Sequence, residues 1–187
     1  MTSALIILAD GAEELETISV SDILSRGGVQ VTLAALSDKG STEITCAHGT
    51  VIKAPCRLSE VKDQNFDAVV VPGGYQGSLN CQKSELVKDI LKRQQASGKL
   101  IAAICAAPGL VLAHQGIITD EIATGYPGTT AGIKNLRPDD GVVVDEERHL
   151  ITGQGPAFAA DFGSQVLTAL RNTAVTQEVR KGMLFQD

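Results

Sequence analysis

A strand, a helix and a second strand follow one another at the start of the chain, and that order constrains the fold more than any other feature. Ser3–Ala9 is a short apolar strand and Asp10-Gly11 a turn. Ala12–Arg26 is helical, with Leu15, Ile18, Ile23 and Leu24 broadly on one side. Gly27-Gly28 stops the helix, and Val29–Leu36 is the second strand. Such a unit closes through a right-handed crossover and makes the two strands parallel neighbours.

The pattern continues. Phe66–Val71 is another buried strand, ended by Pro72-Gly73-Gly74, and Lys99–Ile104 is the next, with a helix at about Ser84–Ala96 between them. Ile44–Ile52 reads as a small hairpin with His48-Gly49 near its turn. Ala106–Ala113 reads as the first turns of a helix. Gly116 to Gly141 holds seven glycines or prolines, which predicts loops and short pieces. Gly141–Asp145 and Leu150–Thr152 read as strands around a charged turn, Pro156–Arg171 as a helix and Thr176–Leu184 as another. No repeat, low-complexity stretch or long linker divides the chain. The expectation is one α/β domain over residues 1–187, a mostly parallel sheet with helices on both faces.

Composition narrows the function classes. The 16 Lys and Arg against 22 Asp and Glu give a formal charge of −6, which argues against nucleic acid or an anionic membrane as partner. The opening residues have no basic region before their short apolar run, so neither a signal peptide nor a membrane span is expected. Cys46, Cys56, Cys81 and Cys105 form no CxxC pair, so neither a metal nor a disulfide framework is expected, and a cytoplasmic protein with free thiols is. Gly73-Gly74 lies outside any GxGxxG pattern, so no dinucleotide cofactor is expected.

In open parallel sheets ligands bind beyond the carboxyl ends of the strands. Three features fall there: Asp10 to Glu16, Pro72-Gly73-Gly74 and Cys105. A strand-to-helix turn can present Cys105 as a nucleophile, and a helix N-terminus would lower its pKa. A small buried core cysteine fits the same stretch. Asp10 and Glu13 have capping-box spacing, which accounts for Glu13 and Glu14 better than for Glu16, one turn further along the same face. Gly155-Pro156 can start a helix or border a ligand. His48, His114 and His149 are isolated, and none is spaced as an obvious base for Cys105.

Four stretches in this order, "ALIILADGAEELET", "FDAVVVPGGYQGS", "LIAAICAAPGLVLA" and "ITGQGPAFAADFG", resemble the ThiJ/PfpI superfamily over essentially the whole chain. The resemblance is greatest to its DJ-one/YajL-like branch. It implies a flavodoxin-like three-layer sandwich, a homodimer, a nucleophile elbow at Cys105 and a protonated Glu16 bonded to the sulfur. Gly74 and Ala106 would supply oxyanion-hole N–H groups. Cys46 would lie near the dimer interface. Gly73, Tyr126, His48, Gln154 and Pro156 become candidate substrate-site residues. Tyr126 stands where mammalian-type members carry a histidine, and His48 where they carry an arginine; both are candidate proton-transfer partners. Gln154 and the aromatic before Pro127 resemble the bacterial branch. Ala106 occupies the place of the histidine of protease members, so a Cys-His protease is not expected.

The function implied is a cofactor-independent glyoxalase or protein deglycase acting on 2-oxoaldehydes such as methylglyoxal, or on glycated proteins. The alternative is a redox sensor or redox-regulated chaperone working through oxidation of Cys105.

Overall fold

A computed structural model describes residues 1–186. In chain order the elements are β1 (Ser3–Ala9), α1 (Glu14–Arg26), β2 (Gln30–Leu36), β3 (Glu43–Thr45), β4 (Val51–Lys53), β5 (Cys56–Arg57) and α2 (Leu58–Val61). Next come β6 (Ala68–Val71), α3 (Tyr75–Lys83), α4 (Glu85–Ala96), β7 (Leu100–Ile104) and a wide helical segment, Pro108–Ala113. The chain continues with β8 (Ile122–Ala123), β9 (Asn135–Leu136), β10 (Val142–Asp145), β11 (Leu150–Gly153), a 3-10 turn (Pro156–Phe158), α5 (Ala159–Leu170) and α6 (Thr173–Gly182).

Seven strands form one sheet in the order β10-β11-β7-β6-β1-β2-β5. All neighbours are parallel except the β10–β11 pair. Strand alternation divides β1 between two cores. Leu5, Ile7 and Ala9 pack with Val87, Ile90 and Leu91 of α4 and with Val111 and Leu112 of the wide helical segment. Ala4 and Ile6 pack on the other face with Val20, Ile23 and Leu24 of α1 and with Phe162, Val166 and Leu167 of α5. Helices therefore cover both faces, as the sequence predicts. Among the described residues no helix is long and apolar enough to cross a membrane.

The β3–β4 hairpin closes over one end of the sheet, burying Ile44 and Cys46 against Leu8, Ala12 and Ala35. Its turn is tied to the start of α1. The Glu14 carboxylate accepts from His48 N–H at 3.1 Å and Thr50 N–H at 3.4 Å. Ala47 N–H donates to Ala12 O at 2.8 Å. Glu14 is thus a structural anchor, held below its ordinary pKa by these N–H donors despite the opposing effect of burial.

Several boundaries differ from expectation for local physical reasons. Helix α1 starts at Glu14 rather than Ala12, because Glu13 is the cap and its Oε2 accepts from Glu16 N–H at 2.7 Å. The expected Asp10–Glu13 box does not form, and Asp10 Oδ1 accepts from Thr45 N–H instead. Helix α3 was not expected. It is polar, and Gly77 inside it lets the backbone press on the β1–α1 loop, where a Cβ would lie 2.6 Å from Ala12 N. The expected helix at Ala106–Ala113 is instead a wider π-type segment, with His114 N–H reaching Gly109 O five residues back. Pro156–Arg171 opens as a 3-10 turn before α5 begins at Ala159.

Gly109 fixes the wide segment against the following loop: a Cβ there would sit 1.9 Å from Thr129 O. Gly109→Ala should therefore lower stability by about 1–3 kcal/mol, the usual cost of overpacking. Urea denaturation measures this, and an unchanged midpoint would show that the Thr129 loop yields freely.

Candidate active site

Cys105 follows the last residue of β7 and adopts φ +65°, a left-handed conformation rare for a residue with a side chain. Two backbone bonds hold it there. Its N–H donates to Gly153 O at 2.8 Å, and its carbonyl accepts from Tyr126 N–H at 2.7 Å. Such a conformation costs roughly 1–3 kcal/mol and persists only where the surroundings over-determine it. The residue is nearly buried, at 7% exposure. The N–H groups of Gly74 and Ala106 hydrogen-bond its sulfur.

Glu16 reaches the same point from α1 and is 1% exposed. Its Oε2 accepts from Gly73 N–H at 2.8 Å, and the carboxyl hydrogen-bonds the Cys105 side chain. Oε1 is buried with no hydrogen-bond partner. The glycines between them are required by space. A Cβ on Gly73 would lie 2.5 Å from Cys105 Cβ and 2.7 Å from Glu16 Oε2. Gly74 has φ +84°, and a Cβ there would lie 2.3 Å from Gly11 O.

Electrostatics join the two side chains into one proton-holding unit. Burial pushes the Glu16 carboxyl up to about 7; the Gly73 N–H opposes the rise and the negative charge of Glu13 adds to it. Cys105 is pushed up to about 12 by burial and then by an ionised Glu16, against the Gly74 and Ala106 N–H groups. This corrects the expectation of a depressed thiol pKa. The sulfur is desolvated, sits beside a carboxylate, and is followed by turn residues and the wide segment rather than a regular α-helical N-terminus. A proton on Glu16 removes the opposing charge, so the two groups titrate as a pair. Burial also raises Cys46 to about 11 and Cys81 to about 12, and raises Cys56.

The other candidates are placed unequally. The ring of Tyr126 borders Gly155, where a Cβ would lie 3.4 Å from Tyr126 Cδ2, and the residue is 48% exposed. His48 is exposed on the hairpin turn, with Nε2 3.9 Å from Glu13 Oε1. Gln154 is engaged elsewhere: its Nε2 donates to Pro138 O. Pro156 opens the 3-10 turn. A cavity of about 260 Å³ lined by Leu100, Val144 and Ile151 lies at the opposite end of the sheet, away from Cys105.

Sequence reasoning missed two parts of this arrangement. The clamps on Cys105 are backbone groups of Gly153 and Tyr126, which no side-chain pattern reveals. Glu13 acts on Glu16 both as helix cap and as a neighbouring charge, and the signal for it was the three-residue spacing of the two acids.

Residues 2–169 match the model of the DJ-1/PfpI family. Protein dj-1beta of Drosophila melanogaster is 41% identical over 184 residues, covering 97% of this chain and 96% of that protein. Its crystal structure superposes with a TM-score of 0.93, at 39% identity, over 100% of this chain and 99% of that one. Glutathione-independent glyoxalase DJR-1.2 of Caenorhabditis elegans is 37% identical over 185 residues, covering 96% of this chain and 94% of that protein. A matched model spanning nearly the whole chain, a shared fold, and a cysteine presented on a strained strand end beside a buried acid agree: the chain belongs to the DJ-1/PfpI family.

Proposed function

We propose that this protein is a cofactor-independent glyoxalase or deglycase that converts 2-oxoaldehydes, or their early adducts on proteins, to 2-hydroxy acids. The observation that carries the reading is the Glu16 carboxyl bonded to the sulfur of a strained, nearly buried Cys105. The homologue named as a glutathione-independent glyoxalase supports the reaction class.

The chemistry follows from one shared proton. The ionised Glu16 takes the Cys105 proton as the sulfur attacks the aldehyde carbon. The C=O π bond breaks, and its electron pair becomes an alkoxide. The Gly74 and Ala106 N–H groups that bond the sulfur at rest are placed to stabilise that charge. Glu16 gives its proton to the alkoxide, forming a hemithioacetal. The resulting carboxylate removes the hydrogen from the former aldehyde carbon and returns it to the neighbouring carbon, while the hydroxyl proton passes from the first oxygen to the second, which gives a 2-hydroxy thioester. Water cleaves the thioester, releasing the acid and restoring the thiol. Methylglyoxal plus water thereby becomes lactic acid with no external oxidant. Tyr126 borders the site at its exposed side and would meet the substrate's carbon chain.

A homodimer fits the surface. Leu15 and Ile18 stand one turn apart on α1 and are 54% and 48% exposed, and Val51 on the hairpin is 61% exposed. Covering such side chains against a second copy would remove them from water. A cytoplasmic setting fits four unpaired cysteines. The second reading, a redox sensor, draws on the same geometry: a protonated Glu16 and two N–H groups would hold a sulfinate on Cys105.

Cys105→Ser should abolish lactate release from methylglyoxal without glutathione while leaving the fold intact; retained wild-type turnover would remove Cys105 as nucleophile. Glu16→Gln should reduce turnover by about ten- to a hundred-fold or more, the worth of a hydrogen bond to a charged group acting in the transition state. The same substitution should affect stability in a pH-dependent way. Because the folded pKa of Glu16 lies above its unfolded value, the wild type loses stability as pH rises from 4.5 to about 7. Above that window Glu16→Gln should gain on wild type by up to about 3 kcal/mol, with no gain below it, as read by denaturation at two pH values. Ile18→Asp should convert a dimer to monomer in sedimentation, and an unchanged mass would place any dimer contact elsewhere.

A further inference from the structure

The turn of the β3–β4 hairpin brings a histidine beside two consecutive glutamates at the start of α1. Glu13, Glu14 and His48 each offer one donor atom, and these atoms all lie within 4.8 Å of one another. Among the described residues no other three histidine, cysteine or acidic side chains gather so closely. Glu13 is buried, at 7% exposure. Its Oε2 is fixed by the N–H of Glu16 at 2.7 Å. Its Oε1 accepts no hydrogen bond from the described residues and lies 3.9 Å from His48 Nε2, too far for one. A buried side chain thus aims an unpartnered oxygen at the imidazole.

The frame around these donors is already built. Both oxygens of Glu14 hold the N–H of His48, and Oε1 also holds that of Thr50, so the turn is tied to α1. Carboxylates that hold a metal are themselves hydrogen-bonded in this way, and their oxygens keep lone pairs free for the ion. Among the described residues no lysine or arginine pairs with Asp10, Glu13 or Glu14, so the negative charge gathered there has no fixed counter-ion. Burial and the charges of Glu14, Glu13 and Asp10 push the neighbouring Cys46 thiol up to about 11. The available donors are therefore two carboxylate oxygens and one imidazole nitrogen.

We propose that Glu13, Glu14 and His48 form a binding site for a divalent transition-metal ion of the zinc type, which joins the hairpin turn to helix α1. The nitrogen donor selects the class of ion: calcium and magnesium take oxygen ligands, whereas imidazole suits zinc, copper and nickel. Zinc bound to nitrogen and carboxylate donors at about 2.0–2.2 Å holds them about 3.3 Å apart. The imidazole side chain is 75% exposed and free to swing inward, while the two carboxylates stay pinned by their N–H donors. Three protein donors leave the fourth position of a tetrahedral ion to water. Neither Cys105 nor the Glu16 carboxyl is a donor, so the site stands apart from the proposed reaction.

The test is isothermal titration calorimetry of the full chain with zinc, in a Cys105→Ser background so that the active-site thiol cannot compete for the ion. A single zinc site per chain is expected, with no comparable binding of magnesium or calcium. His48→Ala and Glu13→Gln, each added to that background, should weaken zinc binding by about tenfold or more, since losing even an outer partner of a ligand costs roughly 10–100-fold. Glu43→Gln removes an exposed hairpin acid outside the cluster and should leave the affinity unchanged. The His48 side chain is exposed, and a glutamine at position 13 keeps an oxygen to cap α1, so both variants should fold, which circular dichroism checks. Absence of zinc binding, or binding unmoved by His48→Ala, would overturn the proposal. So would equal affinity for magnesium, or an equal loss from Glu43→Gln, either of which would reveal only diffuse acidic charge. Binding needs no turnover, so success or failure of the wild type with methylglyoxal decides the proposed enzyme and leaves each of these results as it is.

Discussion

Gly153 O and Tyr126 N–H grip the two ends of the Cys105 peptide unit, and the rest of the site depends on that grip. A residue at φ +65° would relax to an ordinary conformation if either bond were absent. Gly153 is the last residue of β11, which pairs with β7, so the sheet itself supplies one clamp. Tyr126 belongs to the loop region after β8, so the other clamp comes from the irregular part of the chain. The sulfur is held where Gly74 and Ala106 can donate to it and where α1 can deliver Glu16.

Burial is what makes this arrangement reactive, and it is also what makes it costly. Desolvation raises both the carboxyl and the thiol, so neither group ionises in isolation as it would in water. An ionised Glu16 beside the thiol can take its proton, which leaves the acid able to donate to oxygen and then accept from carbon. Glu13 and Glu14, three and two places before Glu16, do different work from it: one caps the helix and the other anchors the hairpin.

Where side-chain pattern decides structure, the sequence was readable. The first strand, helix and second strand match within two residues, because the apolar run of β1, buried on both faces, and the Ile23–Leu24 side of α1 are set by local order, although Leu15 and Ile18, expected on that side, are exposed. Cys105, Glu16, Gly73 and Gly74 were legible through their common place at strand ends and through family resemblance, and they do meet. Helix α3 was not legible, since its buried residues are Gly77, Ser78 and Cys81 and its order comes from packing on the β1–α1 loop. The direction of the Cys105 pKa was misread because helix-terminus reasoning ignores a neighbouring carboxylate that only tertiary structure brings near. Gln154 was misplaced for the same reason: its amide finds Pro138, sixteen residues away in sequence, rather than the site.

The central claim is that Glu16 keeps its proton well above the ordinary carboxylate range because it is buried beside the charge of Glu13. Infrared difference titration of wild type against Glu16→Gln isolates the C=O band of that one protonated carboxyl. The account predicts that the band persists until the pH passes about 7. Loss of the band by about pH 5, where an ordinary glutamate is already ionised, would contradict it.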